Sequence, residues 1–157
     1  TMNESPADPV GAALVIGGGI AGMQASLDLA QSGYKVYLAE KESAIGGNMA
    51  KLDKTFPSND CAMCTISPRL LDSGQHPDID ILTNTDIVSL EGKAGNFTAH
   101  LNTRPRFVDP DVCTSFCECA NVCPVPLENA FEVDLNLRRA AKKIYPQGTP
   151  KAFDIYK

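Results

Sequence analysis

A glycine-rich segment near the start of the chain constrains the fold more than any other feature of the sequence. Gly17, Gly19 and Gly22 give the spacing G-x-G-x-x-G directly after the short apolar run Ala13–Ile16. The first glycine permits a tight turn, the second lets the backbone approach a pyrophosphate, and the third lets a helix pack close to a strand. The pattern therefore predicts a buried strand, a phosphate-binding loop and a helix that begins near Ile20.

An acidic residue follows at the distance that such a loop requires. Residues 35–40 read as a second strand that ends on Glu40, 23 residues after Gly17. A carboxylate at this place accepts hydrogen bonds from ribose hydroxyls and repels a 2′-phosphate. Strand, loop, helix, strand and acid together predict a dinucleotide-binding βαβ unit in which NADP is disfavoured.

The loop alone does not distinguish FAD from NAD. Gly46 and Gly47 stand six and seven residues after Glu40. Many flavoproteins with two dinucleotide folds have such a pair, which favours FAD, whereas an ordinary turn before a helix is the alternative. The predicted cofactor-binding residues are Gly17, Gly19, Ile20, Ala21, Gly22, Glu40, Lys41, Gly46 and Gly47.

Four cysteines crowd into eleven residues in the second half of the chain. They are Cys113, Cys117, Cys119 and Cys123, and Pro124 follows the last. Their spacing, C-x3-C-x-C-x3-C-P, departs by one residue from the bacterial iron–sulfur pattern C-x2-C-x2-C-x3-C-P. A structural zinc site would need two separated cysteine pairs, and disulfides would need an oxidising compartment. The run therefore predicts a [4Fe–4S] cluster, with zinc as the alternative.

Cys61 and Cys64 form a second cysteine motif, C-x-x-C. In a cytosolic chain this spacing indicates a redox dithiol or two metal ligands. Two buried structural cysteines are the alternative, because free cysteine is among the most buried residue types. The pair is therefore kept as a candidate dithiol and as a candidate source of metal ligands.

The remaining sequence predicts short elements around these motifs. Ser67 and Pro68 predict the start of a helix that Gly74 ends. Strands are expected over residues 79–82, 86–90 and 97–101, the last two joined by a turn. A helix is expected over residues 135–143, where four basic side chains form either a solvated face or a dock for an acidic electron carrier.

The composition limits the classes of function. A net charge of −5 argues against a nucleic-acid partner. The longest apolar run, residues 12–16, is too short to cross a bilayer, and no signal sequence precedes it. Free thiols without a signal sequence predict a cytoplasmic location. No general base, nucleophile or substrate pocket is visible, so no catalytic residue is predicted and the isolated chain is not expected to catalyse a reaction.

The chain resembles the amino-terminal part of the heterodisulfide reductase A-subunit family. The resemblance is carried by residues 17–22, 34–41, 45–57, 60–64 and 74–77 and by the cysteine run. It implies a thioredoxin-reductase-like FAD domain with an inserted ferredoxin-like lobe that holds a [4Fe–4S] cluster. It also implies electron transfer between the flavin and the iron–sulfur subunits of a larger redox complex.

Two departures from the family pattern bear on these expectations. Phe116 and Cys117 stand where the family would place a cysteine and then another residue. The loop is therefore expected to bulge, or Cys61 or Cys64 must complete the cluster. The later strands of a flavin domain do not follow before Lys157, so the dinucleotide fold is expected to be incomplete.

These observations combine into one predicted architecture of the α/β class. An incomplete Rossmann-like, FAD-binding βαβ part is expected over residues 10–107, an iron–sulfur lobe over residues 108–145 and an extended tail over residues 146–157. The predicted function is electron relay between FAD and [4Fe–4S] centres. The alternatives are a structural or docking module with zinc or an empty site, and a dithiol oxidoreductase that works through Cys61 and Cys64.

Overall fold

A computed structural model describes residues 11–93, 95–129 and 133–155 of the chain. Parts of four predicted segments, the βαβ part, the hairpin turn, the iron–sulfur lobe and the tail, lie outside these residues. The elements in chain order are β1 (Ala12–Ile16), α1 (Ile20–Gln31), β2 (Lys35–Ala39), a 3₁₀ turn (Met49–Lys51), α2 (Ala62–Gln75), β3 (Ile79–Leu82), β4 (Thr85–Lys93), β5 (Asn96–Thr103), α3 (Glu118–Val122), β6 (Pro126–Glu128), β7 (Leu137–Arg139), β8 (Ala141–Lys142) and β9 (Asp154–Ile155).

The described residues form two compact units. The first takes in the residues up to Glu40 together with Gly46–Leu82, and the second takes in Lys41–Ile45 and the residues from Thr83 onward. No helix among the described residues is both long and apolar enough to cross a membrane.

The first unit is a three-stranded parallel sheet with two helices. Its strands lie in the order β1-β2-β3, with Val15 opposite Leu38 and Leu38 opposite Ile81. Parallel neighbours need crossover connections, which α1 and the segment containing α2 provide. This is the βαβ arrangement that the glycine spacing predicts, so the Rossmann-like fold is confirmed. The predicted burial of β1 is wrong, because β1 is an edge strand of this described sheet, none of its residues is buried and Ile16 is 61% exposed.

The core of the first unit follows the helical and strand periodicities. Met23, Leu27 and Ala30 recur along one face of α1 and are buried. On β2, Val36 and Leu38 are fully buried, whereas Tyr37 between them is exposed. Burial of each larger side chain, Met23, Leu27, Val36 and Leu38, contributes about 1.5–3 kcal/mol, which holds α1 against the sheet.

Helix α2 begins earlier than the sequence predicts. The expected start at Ser67 is wrong, because the helix already begins at Ala62 and Pro68 lies inside it. Ala62, Ile66 and Leu70 recur every four residues and are buried, so tertiary packing extends the helix across the proline. The Sγ atom of Cys61 accepts a hydrogen bond from the backbone N–H of Cys64 at 3.1 Å and so caps the first turn.

The second unit is built from short antiparallel pairs. Strands β4 and β5 form a hairpin whose register shifts between Ile87 and Ser89. Strand β6 pairs with β7, and β8 pairs with β9. The helix expected over residues 135–143 is wrong: Arg138 lies opposite Leu127 in the β6–β7 ladder, and Ala140 and Ala141 are buried side by side. Pairing with β6 and the burial of two adjacent alanines therefore override the helical pattern.

Buried polar contacts hold the segment Lys41–Ile45 within the second unit. The guanidinium of Arg106 donates to the carbonyl of Ser43 and, at 2.8 Å, to Oγ1 of Thr83. The hydroxyl of Tyr145 donates to the carbonyl of Ile45. Burial of this phenol raises the pKa of Tyr145 to about 12.

Candidate functional site

The glycine loop forms a cradle of backbone atoms at the start of α1. Gly17 has a φ of +99°, a conformation that glycine adopts readily, and its N–H donates to the carbonyl of Ala39 at 2.8 Å. A Cβ atom on Gly22 would lie 1.9 Å from the carbonyl oxygen of Gly17, so only glycine fits there. A Cβ atom on Gly19 would meet nothing within 4 Å, which leaves open space beside the loop.

The start of α1 is arranged to receive an anion. Gly19 is the N-cap residue, and no side chain caps this helix in the described part of the chain. The first backbone N–H groups of an α-helix have no partner within the helix, and the helix dipole favours negative charge at this end. Ile20 and Ala21 lie in this first turn and are exposed. The cradle therefore fits the pyrophosphate of a dinucleotide.

Glu40 lies at the carboxyl end of β2 and is bonded to the glycine loop. Its Oε2 atom accepts a hydrogen bond from the backbone N–H of Gly18 at 2.7 Å, and the residue is 6% exposed. Its own N–H donates to the carbonyl of Leu82 on the neighbouring strand at 2.8 Å. The carboxylate is therefore held beside the loop, where an adenosine ribose would need an acceptor. Lys41 follows Glu40 in the chain and is exposed.

Gly46 and Gly47 pack onto the same loop. The N–H of Gly46 donates to the carbonyl of Gly18 at 2.6 Å. Gly47 has a φ of +59°, and a Cβ atom on it would lie 3.0 Å from the Cα atom of Gly19. The second glycine pair is therefore part of the cradle, and larger side chains there would crowd the loop.

Cys61 and Cys64 are joined by a disulfide at the start of α2. Both residues are exposed. The alternative of two buried structural cysteines is therefore wrong, because both side chains lie at the surface. Cys61 and Cys64 could act as metal ligands, as predicted, only when the disulfide is reduced.

The four clustered cysteines carry free thiols in the second unit. Cys113, Cys117 and Cys119 line one cavity of about 400 Å³, together with apolar side chains that include Phe116 and Phe153. Ser115 and Cys117 both have left-handed backbone conformations, with φ values of 62° and 67°. Such values are uncommon outside glycine, so the loop departs from regular backbone at the point where its spacing departs from the iron–sulfur pattern.

Backbone N–H groups surround two of these thiols. Hydrogen bonds from the backbone of Phe153 and then of Ser115 lower the pKa of the Cys113 thiol. Hydrogen bonds from the backbone of Ala141 and then of Val125 lower the pKa of the Cys123 thiol. The thiolate is the metal-binding form of cysteine, and hydrogen bonds to sulfur tune the reduction potential of iron–sulfur clusters.

The donor chemistry of the run therefore fits a thiolate-bound cluster. In residues 11–93, 95–129 and 133–155, no group of three or more His, Cys, Asp or Glu side chains is placed to hold a metal ion. The assignment of Cys113, Cys117, Cys119 and Cys123 as cluster ligands therefore stays a prediction.

Basic side chains line a second cavity of about 490 Å³ in the same unit. Arg139, Lys142 and Lys143 lie around it with Cys117 and Tyr145. These cations belong to β7, β8 and the residue after β8, not to one face of a helix. They place positive charge beside one of the clustered thiols, which favours a negatively charged occupant.

Three groups that build these sites were missed in the sequence. The N–H of Gly18 donates to Glu40, and its carbonyl accepts from Gly46. In the sequence, only its position in the middle of the run Gly17–Gly19 could have indicated these contacts. Phe153 and Ala141 contact cysteine thiols through their backbones. Because every residue except proline carries a backbone N–H, no residue-type pattern points to them.

The chain is similar to known proteins over most of its length. A family model described as an NAD(P)-binding Rossmann-like domain matches residues 15–80. The chain is 49% identical, over 143 residues, to the second iron–sulfur A subunit of CoB–CoM heterodisulfide reductase from Methanopyrus kandleri. It is 44% identical, over 142 residues, to the iron–sulfur A subunit of CoB–CoM heterodisulfide reductase from Methanocaldococcus jannaschii. It is 42% identical, over 158 aligned residues, to the A subunit of ferredoxin:CoB–CoM heterodisulfide reductase from Methanosarcina acetivorans.

These alignments cover nearly the whole chain but a small part of each relative. They include 91%, 90% and 98% of the chain, respectively. They include only 22%, 22% and 20% of the relatives. The chain thus spans about a fifth of the length of the curated relatives that it matches.

Proposed function

Because the chain belongs to the heterodisulfide reductase A-subunit family in the segment that it shares with those proteins, we propose that it is an electron-transfer module of a larger redox complex. In this proposal the module relays electrons between FAD and [4Fe–4S] centres, and its partners are iron–sulfur subunits in the cytoplasm. Residues 10–107 form its nucleotide part, residues 108–145 its iron–sulfur lobe and residues 146–157 its tail.

The adenosine diphosphate part of FAD binds to the glycine cradle. The first turn of α1, with Gly19, Ile20 and Ala21, receives the pyrophosphate on backbone N–H groups. Glu40 orients the adenosine ribose, with Lys41 next to it in the chain. Bound FAD would accept or donate one or two electrons, whereas the protein supplies orientation and charge. The open space beside Gly19 and the fixed Glu40 carboxylate support this assignment.

The cluster is held by the four thiolates of the cysteine run. The lowered pKa values of Cys113 and Cys123 support thiolate ligation, and the nearby cations favour a negatively charged centre. Cys61 or Cys64 is the alternative fourth ligand, available only when their disulfide is reduced. The backbone of the run positions the thiolates around the cavity that Cys113, Cys117 and Cys119 line.

The observation that carries the proposal is the joint packing of Gly18, Glu40 and Gly46 around one loop. The test compares the affinity of the wild-type chain and of the Gly19→Ala variant for FAD, measured by isothermal titration calorimetry. The added methyl group meets no protein atom, so the variant should fold normally and weaken FAD by at least about tenfold, or ~1.4 kcal/mol. Equal binding by the two proteins would show that no pyrophosphate lies against Gly19.

Metal analysis separates the relay from a docking module. After anaerobic reconstitution with iron and sulfide, the relay predicts iron and acid-labile sulfide in equal amounts, lost in Cys119→Ser. One zinc per chain, with no uptake of iron, would instead support a structural module. Gln31→Ala, a substitution at an exposed residue of the other unit, serves as the matched control.

A further inference from the structure

The exposed disulfide at the start of α2 carries chemistry that the proposed relay does not use. Cys61 and Cys64 are bonded to each other, and both are exposed. Structural disulfides usually close loops, whereas this one spans a single helical turn in which the backbone hydrogen bond from Thr65 to Cys61 is already formed. The bond therefore adds little to the fold, and its accessibility is a property of the labile, reactive class.

We propose that Cys61 and Cys64 form a redox-active dithiol–disulfide site that exchanges two electrons with low-molecular-weight thiols and disulfides. The proposal uses neither FAD nor an iron–sulfur cluster. It is compatible with the relay in which Cys113, Cys117, Cys119 and Cys123 hold the cluster, and it excludes the alternative in which Cys61 or Cys64 is the fourth ligand.

The two sulfurs are not equivalent, which gives the exchange a direction. Cys61 is the N-cap residue, and its Sγ accepts the N–H of Cys64 at 3.1 Å. This hydrogen bond and the positive end of α2 stabilise negative charge that develops on the Cys61 sulfur. Cys64, three residues later and bonded to Cys61 in the oxidised pair, takes the place of the resolving cysteine.

The backbone on both sides of the pair is fixed, so the bond can open without unfolding its surroundings. The N–H of Ala62 donates to the carbonyl of Asp53 at 3.1 Å, and Lys54 forms a β-bridge with Cys61. Ala62 and Ile66 are fully buried beneath the exposed cysteines. Because packing and backbone hydrogen bonds hold the start of α2, we expect it to stay folded when the pair is reduced.

The exchange balances in atoms and electrons. In the reduced site, the Cys61 thiolate attacks one sulfur of a disulfide RSSR, a Cys61–SR bond forms, the S–S bond of RSSR breaks, and one RS⁻ leaves. The Cys64 thiol loses its proton to water, and the resulting thiolate attacks the Cys61 sulfur and displaces the second RS⁻. Each RS⁻ takes up one proton from water. The protein loses two electrons and two protons, and RSSR becomes two RSH. A dithiol such as dithiothreitol reverses the reaction and becomes a cyclic disulfide.

The first test is a trap for the mixed disulfide. The reduced full-length chain is treated anaerobically with 5,5′-dithiobis(2-nitrobenzoate), and each cysteine is mapped by mass spectrometry. In Cys64→Ser we expect a stable adduct on Cys61, formed about tenfold faster than the adduct on Cys64 in Cys61→Ser. Equal rates would overturn the proposed roles. Circular dichroism of both variants establishes that α2 remains folded.

The second test needs no substitution. The wild-type chain is equilibrated in dithiothreitol buffers of graded redox poise, and free thiols are alkylated and mapped. We expect Cys61 and Cys64 to gain and lose label together, as one two-electron couple. Independent labelling would overturn the proposal. So would protection of either residue from reduced-state alkylation after reconstitution with iron and sulfide, since that residue would then be a cluster ligand.

Discussion

The three glycines of the phosphate-binding loop have different physical roles. Substituting one glycine at a time by alanine, which adds a single methyl group, distinguishes these roles. In Gly22→Ala the new Cβ would meet a backbone oxygen at 1.9 Å, and backbone cannot move aside as a side chain can. We expect this variant to lose about 2–4 kcal/mol of unfolding free energy through overpacking. Urea denaturation measures the loss.

The control for this prediction is Gly19→Ala. Its Cβ would lie in open space and its backbone has an extended conformation, so its stability should remain within about 1 kcal/mol of wild type. Equal stability of the two variants would mean that the contact between Gly22 and Gly17 does not limit the fold.

The charge of Glu40 should decide which nucleotides the cradle accepts. Glu40→Gln keeps an oxygen that can accept the N–H of Gly18 but removes the negative charge. The repulsion of a 2′-phosphate then disappears. We expect the affinity ratio of ADP-ribose to its 2′-phosphorylated form to fall by about tenfold, as measured by isothermal titration. An unchanged ratio would mean that the ribose does not lie against this carboxylate.

The buried hydroxyl of Tyr145 should stabilise the second unit. Tyr145→Phe keeps the ring but leaves the carbonyl of Ile45 without this donor. A buried polar group without its partner costs about 1–3 kcal/mol, so the melting temperature should fall. Tyr37→Phe, at a position that is 39% exposed, is the matched control and should melt like wild type. Differential scanning calorimetry compares the two.

At the level of elements, the sequence predicted the parts that short-range chemistry decides. The first βαβ unit follows from apolar runs punctuated by glycine, and β3 has the bounds that its apolar residues predict. The pattern over residues 135–143 predicts a helix, but Leu137–Arg139 and Ala141–Lys142 form strands because their partners β6 and β9 lie elsewhere in the chain. Pairing between distant segments of two or three residues has no local signal.

In helix α2, tertiary packing overrides the helix-breaking effect of Pro68, and a substitution can measure this effect. Pro68 has no N–H to donate to the carbonyl of Cys64, yet the helix continues because Ile66 and Leu70 are buried. Pro68→Ala should restore that donor and raise the unfolding free energy by about 1–2 kcal/mol, after the greater freedom of the unfolded chain is counted. Urea denaturation measures the gain.

Ser67→Ala is the control for the proline prediction, since it changes a neighbouring residue without changing the backbone donors. Its stability should stay within about 0.5 kcal/mol of wild type. A Pro68→Ala variant less stable than wild type would show that the proline ring itself supports the packing of α2.

At the level of the whole molecule, residue types identify the candidate sites and backbone geometry completes them. Glycines, an acid and cysteines are visible in sequence because the chemistry requires those side chains. The N–H groups of Gly18, Phe153 and Ala141 are not visible, because the fold and not the residue type aims them at Glu40, Cys113 and Cys123. The sequence could therefore predict which groups are candidates for binding, but not which backbone groups hold them in place.

The division of the chain gives a prediction about the two proposed cofactors. The glycine cradle belongs to the first compact unit and the cysteine run to the second. Free-energy effects at sites without shared partners usually add within about 0.3–0.5 kcal/mol. Removing iron from the reconstituted chain with a chelator, or preventing its uptake with Cys119→Ser, should therefore change the dissociation constant of FAD by about twofold or less. Fluorescence titration measures that constant, with Gly19→Ala as the variant that loses FAD and keeps iron. If the chain instead lost FAD binding when it lost iron, the cluster would be needed to stabilise the nucleotide part of the fold. Burial and hydrogen bonding within the first unit would then be too weak to hold the cradle by themselves.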